Sequence, residues 1–199
     1  MFSSSDWPHL LLLMLIGAIV ATLGDAVHAY TGALSYPEPA MGEQAWWVFP
    51  GFFVAFGVVV YGYRAMSILL EDRLLMEQSS APNTLTDFSE SLTLFAVVYF
   101  ASGVGNAYPS LLCFTFFGLF ILRVAVTYER AWLVSFAVSL AISGVLVEVA
   151  FCSFGIVTYR TPDFPGVPWW LAGLYLHGAF TVREGMRYFY FQRFDGYAP

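Results

Sequence analysis

A few ionisable and polar residues interrupt the long apolar stretches of this sequence. Asp25 and His28 are three positions apart, so on a helix they share one face. Glu148 and His177 lie within two other apolar stretches, and Asn106 follows a third. Ionisable groups are costly in an apolar medium, where they usually face the protein interior or a water-filled cavity. These five residues are therefore candidates for holding the polar head of a ligand.

A purely structural interpretation of these residues is also open. Asp25, His28 and Asn106 would each lie within a turn or two of a membrane interface, where they could hydrogen-bond between helices or contact water. For Glu148 and His177 neither interpretation is favoured. By contrast, Arg123 and Arg183 are expected to extend toward lipid head groups, as long cationic side chains near span ends commonly do.

The sequence lacks the motifs that place a nucleophile or a metal in a membrane enzyme. There is no HExxH or GxSxG motif and no cluster of cysteines and histidines. Cys113 and Cys152 both lie in apolar stretches, which predicts small core residues rather than a disulfide or a metal site. We therefore expect no catalytic activity, no cofactor and no metal.

The composition places these residues in a membrane protein. Hydrophobic residues make up 59% of the 199 residues, charged residues 11%, and the mean hydropathy is +0.69. Soluble domains are about 45–50% apolar and about 25% charged, so a soluble fold of this length could not bury so much apolar surface. The cations are eight arginines that form no cluster, so a nucleic-acid partner is not expected.

Six stretches approach the roughly 20 apolar residues that a transmembrane helix needs. The sequence therefore predicts an all-α membrane protein with a single domain over residues 1–199, built as a six-transmembrane-helix bundle. The predicted spans cover about 10–30, 46–70, 88–104, 111–128, 131–152 and 167–187. Seven of the eight arginines fall on the side of the N terminus, and only Arg160 falls on the other. This split predicts that both termini are cytoplasmic.

Two features mark the ends of the predicted spans. Trp46 and Trp47 begin the second span, where tryptophans commonly lie at the membrane interface. The loop before the sixth span contains Pro162, Asp163 and Phe164, and Asp163 could cap or brace the start of that span. We expect this loop to be structural, with a contact to a partner protein as the alternative. A capping pair, Asp87 and Glu90, is expected at the start of the third span.

Several motifs together suggest a family. The second span opens with AWWV at 45–48 and a proline at 50, and the loop before the sixth span reads YRTPDF at 159–164. Matching positions continue through Trp170, Gly178 and Arg187, and an Ala-Ser pair at 101–102 closes the third span. Over residues 45–187 the chain resembles the Insig (insulin-induced gene) family.

The resemblance implies six spans with both termini in the cytosol. Animal Insig proteins reside in the endoplasmic reticulum, bind oxysterols within the membrane, and hold back Scap and HMG-CoA reductase. This chain has Asn106 where the animal proteins carry an aspartate, and it contains no lysine. It therefore resembles a compact prokaryotic homologue, which implies the plasma membrane. A eukaryotic chain of this kind would reside in the endoplasmic reticulum.

Composition and resemblance together predict a non-enzymatic protein that binds a weakly polar lipid in an intramembrane cavity, as a lipid sensor or regulator. The lipid is expected to be sterol-like or diacylglycerol-like, because a phosphate head group would need cations and the non-cytoplasmic half offers only Arg160. A small-solute transporter and a membrane-embedded lipid-modifying enzyme are the alternatives. A membrane-protein partner or a homo-oligomer is also expected. The residues expected to bind the lipid are Asp25, His28, Trp46, Trp47, Asn106, Glu148 and His177.

Overall fold

The structure is a computed structural model that describes residues 6–70, 84–127, 130–163 and 165–191. These residues form six α-helices and two short strands, and each helix coincides with a predicted span to within a few residues. The helices are α1 (Trp7–Thr31), α2 (Val48–Leu70), α3 (Leu85–Val104), α4 (Pro109–Ala125), α5 (Arg130–Ser153) and α6 (Trp170–Met186), the last continuing into a π-helical turn at Arg187–Phe191. The prediction of an all-α, six-helix membrane protein is confirmed.

The helices differ in how much of their surface is apolar and exposed. By length and composition, the described helices α1, α2 and α5 are each able to cross a membrane, with mean hydropathies of 2.4, 1.7 and 2.2, and α4 is a shorter apolar helix. Helix α6 is shorter and more polar because it lies at the centre of the bundle, packed against α3, α4 and α5. Such a helix is shielded by protein and does not need a lipid-facing apolar surface.

Local sequence signals fix several helix ends. The Thr84 hydroxyl accepts a hydrogen bond from the Asp87 amide at 3.2 Å, and the Asp87 carboxylate accepts one from the Thr84 amide at 2.7 Å. This capping box begins α3. The predicted pair of Asp87 and Glu90 was wrong: Asp87 takes part in the cap, but its partner is Thr84, three residues before it, and not Glu90. Helix α1 ends at Thr31 and is capped by Gly32, whose φ of 69° is the left-handed conformation that glycine adopts without strain.

The helices alternate in direction, which gives the bundle two distinct ends. At the arginine end, where α1, α3 and α5 begin, Trp7 lies near Tyr61 of α2 and Phe88 lies near Phe189. The opposite end is covered by what we call the cap, formed by residues 32–47 and 154–163. Within the cap, strand β1 (Leu34–Ser35) pairs antiparallel with β2 (Thr158–Tyr159). The cap thereby ties the chain after α1 to the chain after α5.

Candidate functional site

A cavity of about 110 Å³ lies inside the bundle beneath the cap. Helices α1, α2, α3, α5 and α6 and both strands contribute to its walls. Its end near the cap is lined by polar and ionisable side chains: Asp25, His28, Tyr99, Glu148, Tyr159 and Tyr175. The rest of the wall is apolar and includes Phe52, Ala55, Phe56, Val59, Phe95, Leu140, Leu171, Leu174 and Val182. The cavity thus has one polar end and an apolar body.

Asp25 is held at the polar end by two donors from the cap. The Tyr36 hydroxyl and the Gln44 amide nitrogen each donate a hydrogen bond to Oδ2 of Asp25, both at 2.7 Å. The Gln44 amide also donates to the carbonyl oxygen of Thr22 at 3.0 Å. Burial raises the pKa of Tyr36, and the charge of Asp25 raises it further, so this phenol stays a neutral donor.

Glu148 is held in a similar way by two tyrosines. The Tyr159 hydroxyl of the cap donates to Oε2 of Glu148 at 3.0 Å, and the Tyr175 hydroxyl of α6 donates to Oε1 at 3.1 Å. Burial raises the pKa of Tyr159, and the nearby Glu148 adds to that effect. The carboxylate of Glu148 is half-buried and borders the cavity. Both carboxylates of the site therefore join the cap to the helices.

His28 is fixed by a hydrogen bond and by two rings. The Ser102 hydroxyl donates its proton to the Tyr99 carbonyl at 2.6 Å, so it accepts from Nε2 of His28, which lies 2.7 Å away. The imidazole packs between the rings of Tyr99 and Trp170, at centroid distances of 5.0 and 5.4 Å. The tautomer with a proton on Nε2 follows from this arrangement.

Tyr99 completes the polar end. Its side chain is only 7% exposed and lines the cavity. Its hydroxyl makes no hydrogen bond to any of the described residues. A buried phenol normally has a hydrogen-bond partner, so this hydroxyl is available to a ligand in the cavity.

The chemistry of the polar end is that of carboxylates, phenols and an imidazole. None of the described residues that line the cavity is an arginine or a lysine. Nor do any three His, Cys, Asp or Glu residues within the described part of the chain lie close enough together to hold a metal ion. The site can therefore hydrogen-bond a small neutral head group, and it offers no cation to a phosphate.

Four of the predicted lipid-binding residues lie outside this cavity. Trp46 is 78% exposed at the start of α2, as a membrane-interface tryptophan would be. Trp47 packs edge-on against the rings of Tyr36 and Phe151 and so braces the cap. Asn106 is buried after α3 and donates to the Gly103 carbonyl at 2.5 Å. The fourth, His177, belongs to a separate network.

That network corrects the prediction for Arg123. The Arg123 guanidinium turns into the bundle, where it donates to the Ser91 hydroxyl at 3.1 Å and lies 3.8 Å above the Phe180 ring. Nε2 of His177 donates to the Phe116 carbonyl at 3.0 Å, which leaves Nδ1 to accept from Arg123 at 3.3 Å. The guanidinium does not reach for lipid head groups because these interior partners satisfy it.

The prediction for Arg183 was wrong for a related reason. Its side chain is buried inside the bundle, at 2% exposure for the whole residue, and its guanidinium lies 3.3 Å from the Glu184 carboxylate. Arg183 belongs to α6, which is surrounded by other helices, so its side chain has protein rather than lipid around it. The position of Arg183 near the end of a predicted span did not reveal that its helix lies at the centre of the bundle.

The loop before α6 is braced by Asp163. Oδ2 of Asp163 accepts a hydrogen bond from the backbone amide of Trp169, the residue that precedes the first turn of α6, at 3.0 Å. The Asp163 amide donates to the Val167 carbonyl at 3.2 Å, which closes the loop on itself. Pro162 is exposed beside it, and Phe164 lies outside the described residues.

The tyrosines and the glutamine that complete the site are not among the residues predicted from the sequence. Tyr36, Tyr159 and Gln44 come from the cap, and Tyr99 and Tyr175 come from α3 and α6. One signal was available, because a tyrosine in the middle of an apolar span needs a hydrogen-bond partner for its hydroxyl. The partner of each phenol depends on how the helices pack, which the sequence does not display.

Comparison with solved structures finds similar folds in a mycobacterial protein. The crystal structure of MvINS, an Insig homologue from Mycobacterium vanbaalenii, superposes with a TM-score of 0.67 at 20% identity, covering 90% of this chain and 93% of that one. A cross-linked trimer of an arginine-to-cysteine variant of MvINS gives a TM-score of 0.66 at 19% identity, covering 92% and 95%.

No protein-family model matches this sequence, and no curated protein matches it. At such low identity the likeness to MvINS rests on the fold, and it extends over nearly the whole length of both chains. The chain is therefore an Insig-like, multi-pass integral membrane protein by its fold.

Proposed function

We propose that this protein is a non-enzymatic membrane protein that binds a weakly polar lipid in the cavity beneath the cap and acts as a lipid sensor or regulator. The observation that carries the proposal is the division of the cavity into a polar end and an apolar body. A lipid with a small neutral head and a hydrocarbon body matches both parts. Of the seven residues predicted from the sequence, Asp25, His28 and Glu148 are proposed to meet the head group.

A hydroxyl is the head group that best suits this polar end. The Tyr99 hydroxyl can donate a hydrogen bond to a ligand oxygen. The carboxylates of Asp25 and Glu148 are acceptors only, so they need a hydrogen-bond donor on the ligand. A hydroxyl both accepts and donates, whereas an ester carbonyl only accepts and an ammonium only donates. Diacylglycerols and sterols each carry such a hydroxyl, so both remain candidate ligands.

The alternatives receive less support from the described residues. A transporter commonly binds its substrate where transmembrane helices are broken, but α1 to α6 are each continuous between their ends. A lipid-modifying enzyme would need an activated nucleophile or a general base. Here each cavity carboxylate is already hydrogen-bonded by two side chains. We therefore favour binding over transport or catalysis.

Both termini are proposed to be cytoplasmic, and the protein is proposed to form homo-oligomers. The described arginines at the arginine end are Arg64, Arg123, Arg130, Arg183 and Arg187, whereas Arg160 lies in the cap. The cross-linked trimer is a property of MvINS, and the shared fold suggests the same assembly here. Native mass spectrometry from mild detergent is expected to show a trimer, and a monomer at all concentrations would contradict this.

Thermal unfolding in detergent tests the lipid proposal, with 1,2-dioctanoylglycerol and cholesterol as probes. A ligand that binds only the folded state stabilises it by about 2.7 kcal/mol at 100 times its Kd. We expect at least one probe to raise the melting temperature. Glu148→Gln and Tyr99→Phe are expected to reduce the shift, because the first replaces a carboxylate acceptor with an amide and the second removes the phenol hydroxyl that faces the ligand.

Matched controls lie outside the cavity. Glu90→Gln and Tyr108→Phe change exposed residues of the same types and should keep the full shift. If neither probe nor any other neutral lipid shifts the wild-type protein, the proposed function is wrong. If the probes shift all four variants equally, lipid binding stands but this cavity is not its site.

A further inference from the structure

The cavity is too small to enclose a whole lipid. Pockets that enclose a complete small-molecule ligand measure about 300–1,000 Å³. The volume here is about 110 Å³, which holds several water-sized groups. A lipid whose head reaches Asp25 or Glu148 must therefore continue beyond the cavity. The structure shows where that continuation can go.

Helices α2 and α5 face each other across the cavity but pack mainly against other helices. The ring of Phe56 in α2 covers Gly17 of α1, and the Tyr175 ring of α6 covers Gly144 of α5. Helix α2 therefore stays with α1, and α5 stays with α6. Helices α2 and α5 contact each other far less than α2 contacts α1 or α5 contacts α6, so the wall of the cavity is weakest between them.

Aromatic contacts join α5 to α2 at the arginine end and to Trp47, the cap residue just before α2, at the cap end. At the arginine end the Tyr63 ring lies 4.5 Å from the Trp132 ring and 5.1 Å from the Phe136 ring. At the cap end the Trp47 and Phe151 rings lie 5.7 Å apart. Between these two sets of contacts, no ring contact among the described residues joins α2 to α5.

The residues in this stretch show that the cavity opens there. Ala55 of α2 lines the cavity and is also exposed on the outside of the bundle. On α5, none of the described residues after Ala141 is buried. We call this opening, flanked by Ala55 on one side and by Leu140 and Glu148 on the other, the window.

The window lies at the depth of the lipid chains. At 1.5 Å per residue, Ala55 is about 10 Å and Leu140 about 20 Å from the cap ends of their helices, within a hydrocarbon core of about 30 Å. The cap closes the cavity toward water, because Leu34, Val157 and Tyr159 are buried above it. A lipid therefore has an apolar exit through the window and no comparable opening through the cap.

We propose that the protein binds its lipid by one end only: the hydroxyl head lies in the cavity, and the hydrocarbon body leaves through the window between α2 and α5 into the bilayer. This inference rests on the lipid site proposed above. It adds that the ligand enters sideways from the membrane. The site then recognises the head group and the first few methylene groups of the lipid, and its affinity does not depend on the length of the hydrocarbon chains.

A chain-length series tests the inference. The protein is placed in phosphatidylcholine nanodiscs that contain 1,2-diacylglycerols with chains of eight to eighteen carbons, and Kd is measured as a mole fraction by thermal unfolding. Binding by one end predicts Kd values within about threefold of one another, since the extra methylenes stay in lipid in the free and bound states. A cavity that encloses the chain predicts a loss of binding beyond one length, of at least about tenfold.

A substitution in the window gives the second test. Ala55→Trp places a large ring in the opening and is expected to weaken binding of the eighteen-carbon lipid at least about tenfold. Val54→Trp is the matched control, because Val54 is the neighbouring residue, is 64% exposed and does not line the cavity. The melting temperatures without ligand establish that both variants fold.

The outcomes separate this inference from the proposed function. A sharp chain-length limit, or equal binding by the Ala55→Trp and Val54→Trp variants, would overturn the window while leaving a lipid site in place. Absence of binding by every diacylglycerol and by cholesterol would overturn the proposed function itself. A flat series combined with selective loss in the Ala55→Trp variant supports binding by one end.

Discussion

Arg123 is a half-buried cation whose hydrogen-bond partners are neutral side chains. Its guanidinium is held by Ser91, His177 and the Phe180 ring, and it ties α4 to α3 and α6. Arg123→Leu would leave the hydrogen-bonding groups of Ser91 and His177 without their donor inside the bundle. Because hydrogen bonds to charged groups contribute about 1.5–3 kcal/mol, we expect a comparable loss in the free energy of unfolding. Thermal or denaturant unfolding in detergent measures it.

Arg160→Leu is the control for that experiment. Arg160 is exposed on the cap, so replacing its side chain is expected to change stability little. Equal stability of the two variants would contradict the role of Arg123 in holding α4. A further outcome is that the Arg123→Leu variant loses stability and still shows the same lipid-induced rise in melting temperature as the wild-type protein. That result would show that the arginine network is separate from the lipid site.

At the scale of single elements, the close contact of α1 with α3 depends on Gly103. A Cβ atom added there would lie 2.8 Å from Cδ2 of His28 and 3.2 Å from its backbone nitrogen. Gly103→Ala must therefore push the two helices apart, and overpacking of this kind costs about 1–3 kcal/mol. We expect a lower melting temperature and a weaker lipid-induced shift, because His28 lines the cavity.

Gly118 in α4 provides the opposite case. A Cβ atom there meets nothing within 4 Å, so Gly118→Ala is expected to stabilise the helix by about 0.5–1 kcal/mol. The two variants make the same chemical change in two helices, and they should shift the melting temperature in opposite directions. Equal shifts would mean that α1 and α3 are not packed as closely as described.

The start of α6 is the second element that a single residue controls. Asp163→Ala removes the acceptor of the Trp169 amide and should lower the free energy of unfolding by about 1 kcal/mol, the usual effect of losing a helix-capping side chain. Glu38→Ala alters another exposed acid of the cap and serves as the control. An unchanged melting temperature for the Asp163→Ala variant would favour the alternative that this loop contacts a partner protein.

For the whole molecule, the orientation in the membrane is the testable property. In a variant lacking Cys113 and Cys152, a cysteine introduced at Ser35 in the cap should react with a membrane-impermeant reagent from outside the cell. A cysteine introduced at Ser80, which lies outside the described residues, should react only after the membrane is opened. The reason is the excess of arginine at the opposite end from the cap. Labelling of Ser35 only from the cytoplasmic side would invert the topology.

The sequence by itself determined the membrane class, the number of helices and their approximate bounds. These properties depend on the length and polarity of local stretches, and the low charge content left lipid as the only suitable solvent. It also indicated Asp25, His28 and Glu148 as candidate ligand-binding residues, since an ionisable group in a span is rare. Each of these is a property of a residue and its neighbours along the chain.

The tertiary structure decided which of those residues meet in one cavity. The sequence favoured neither His177 nor Glu148 as a ligand-binding residue. In the structure His177 faces α4 and Glu148 borders the cavity, because packing sets the rotation of each helix about its axis. The same reason explains why Arg123 and Arg183 turn inward. Helix α6 is central through contacts with helices distant in sequence, and the tyrosines of the site come from the cap and from two helices, α3 and α6, that only the fold brings together.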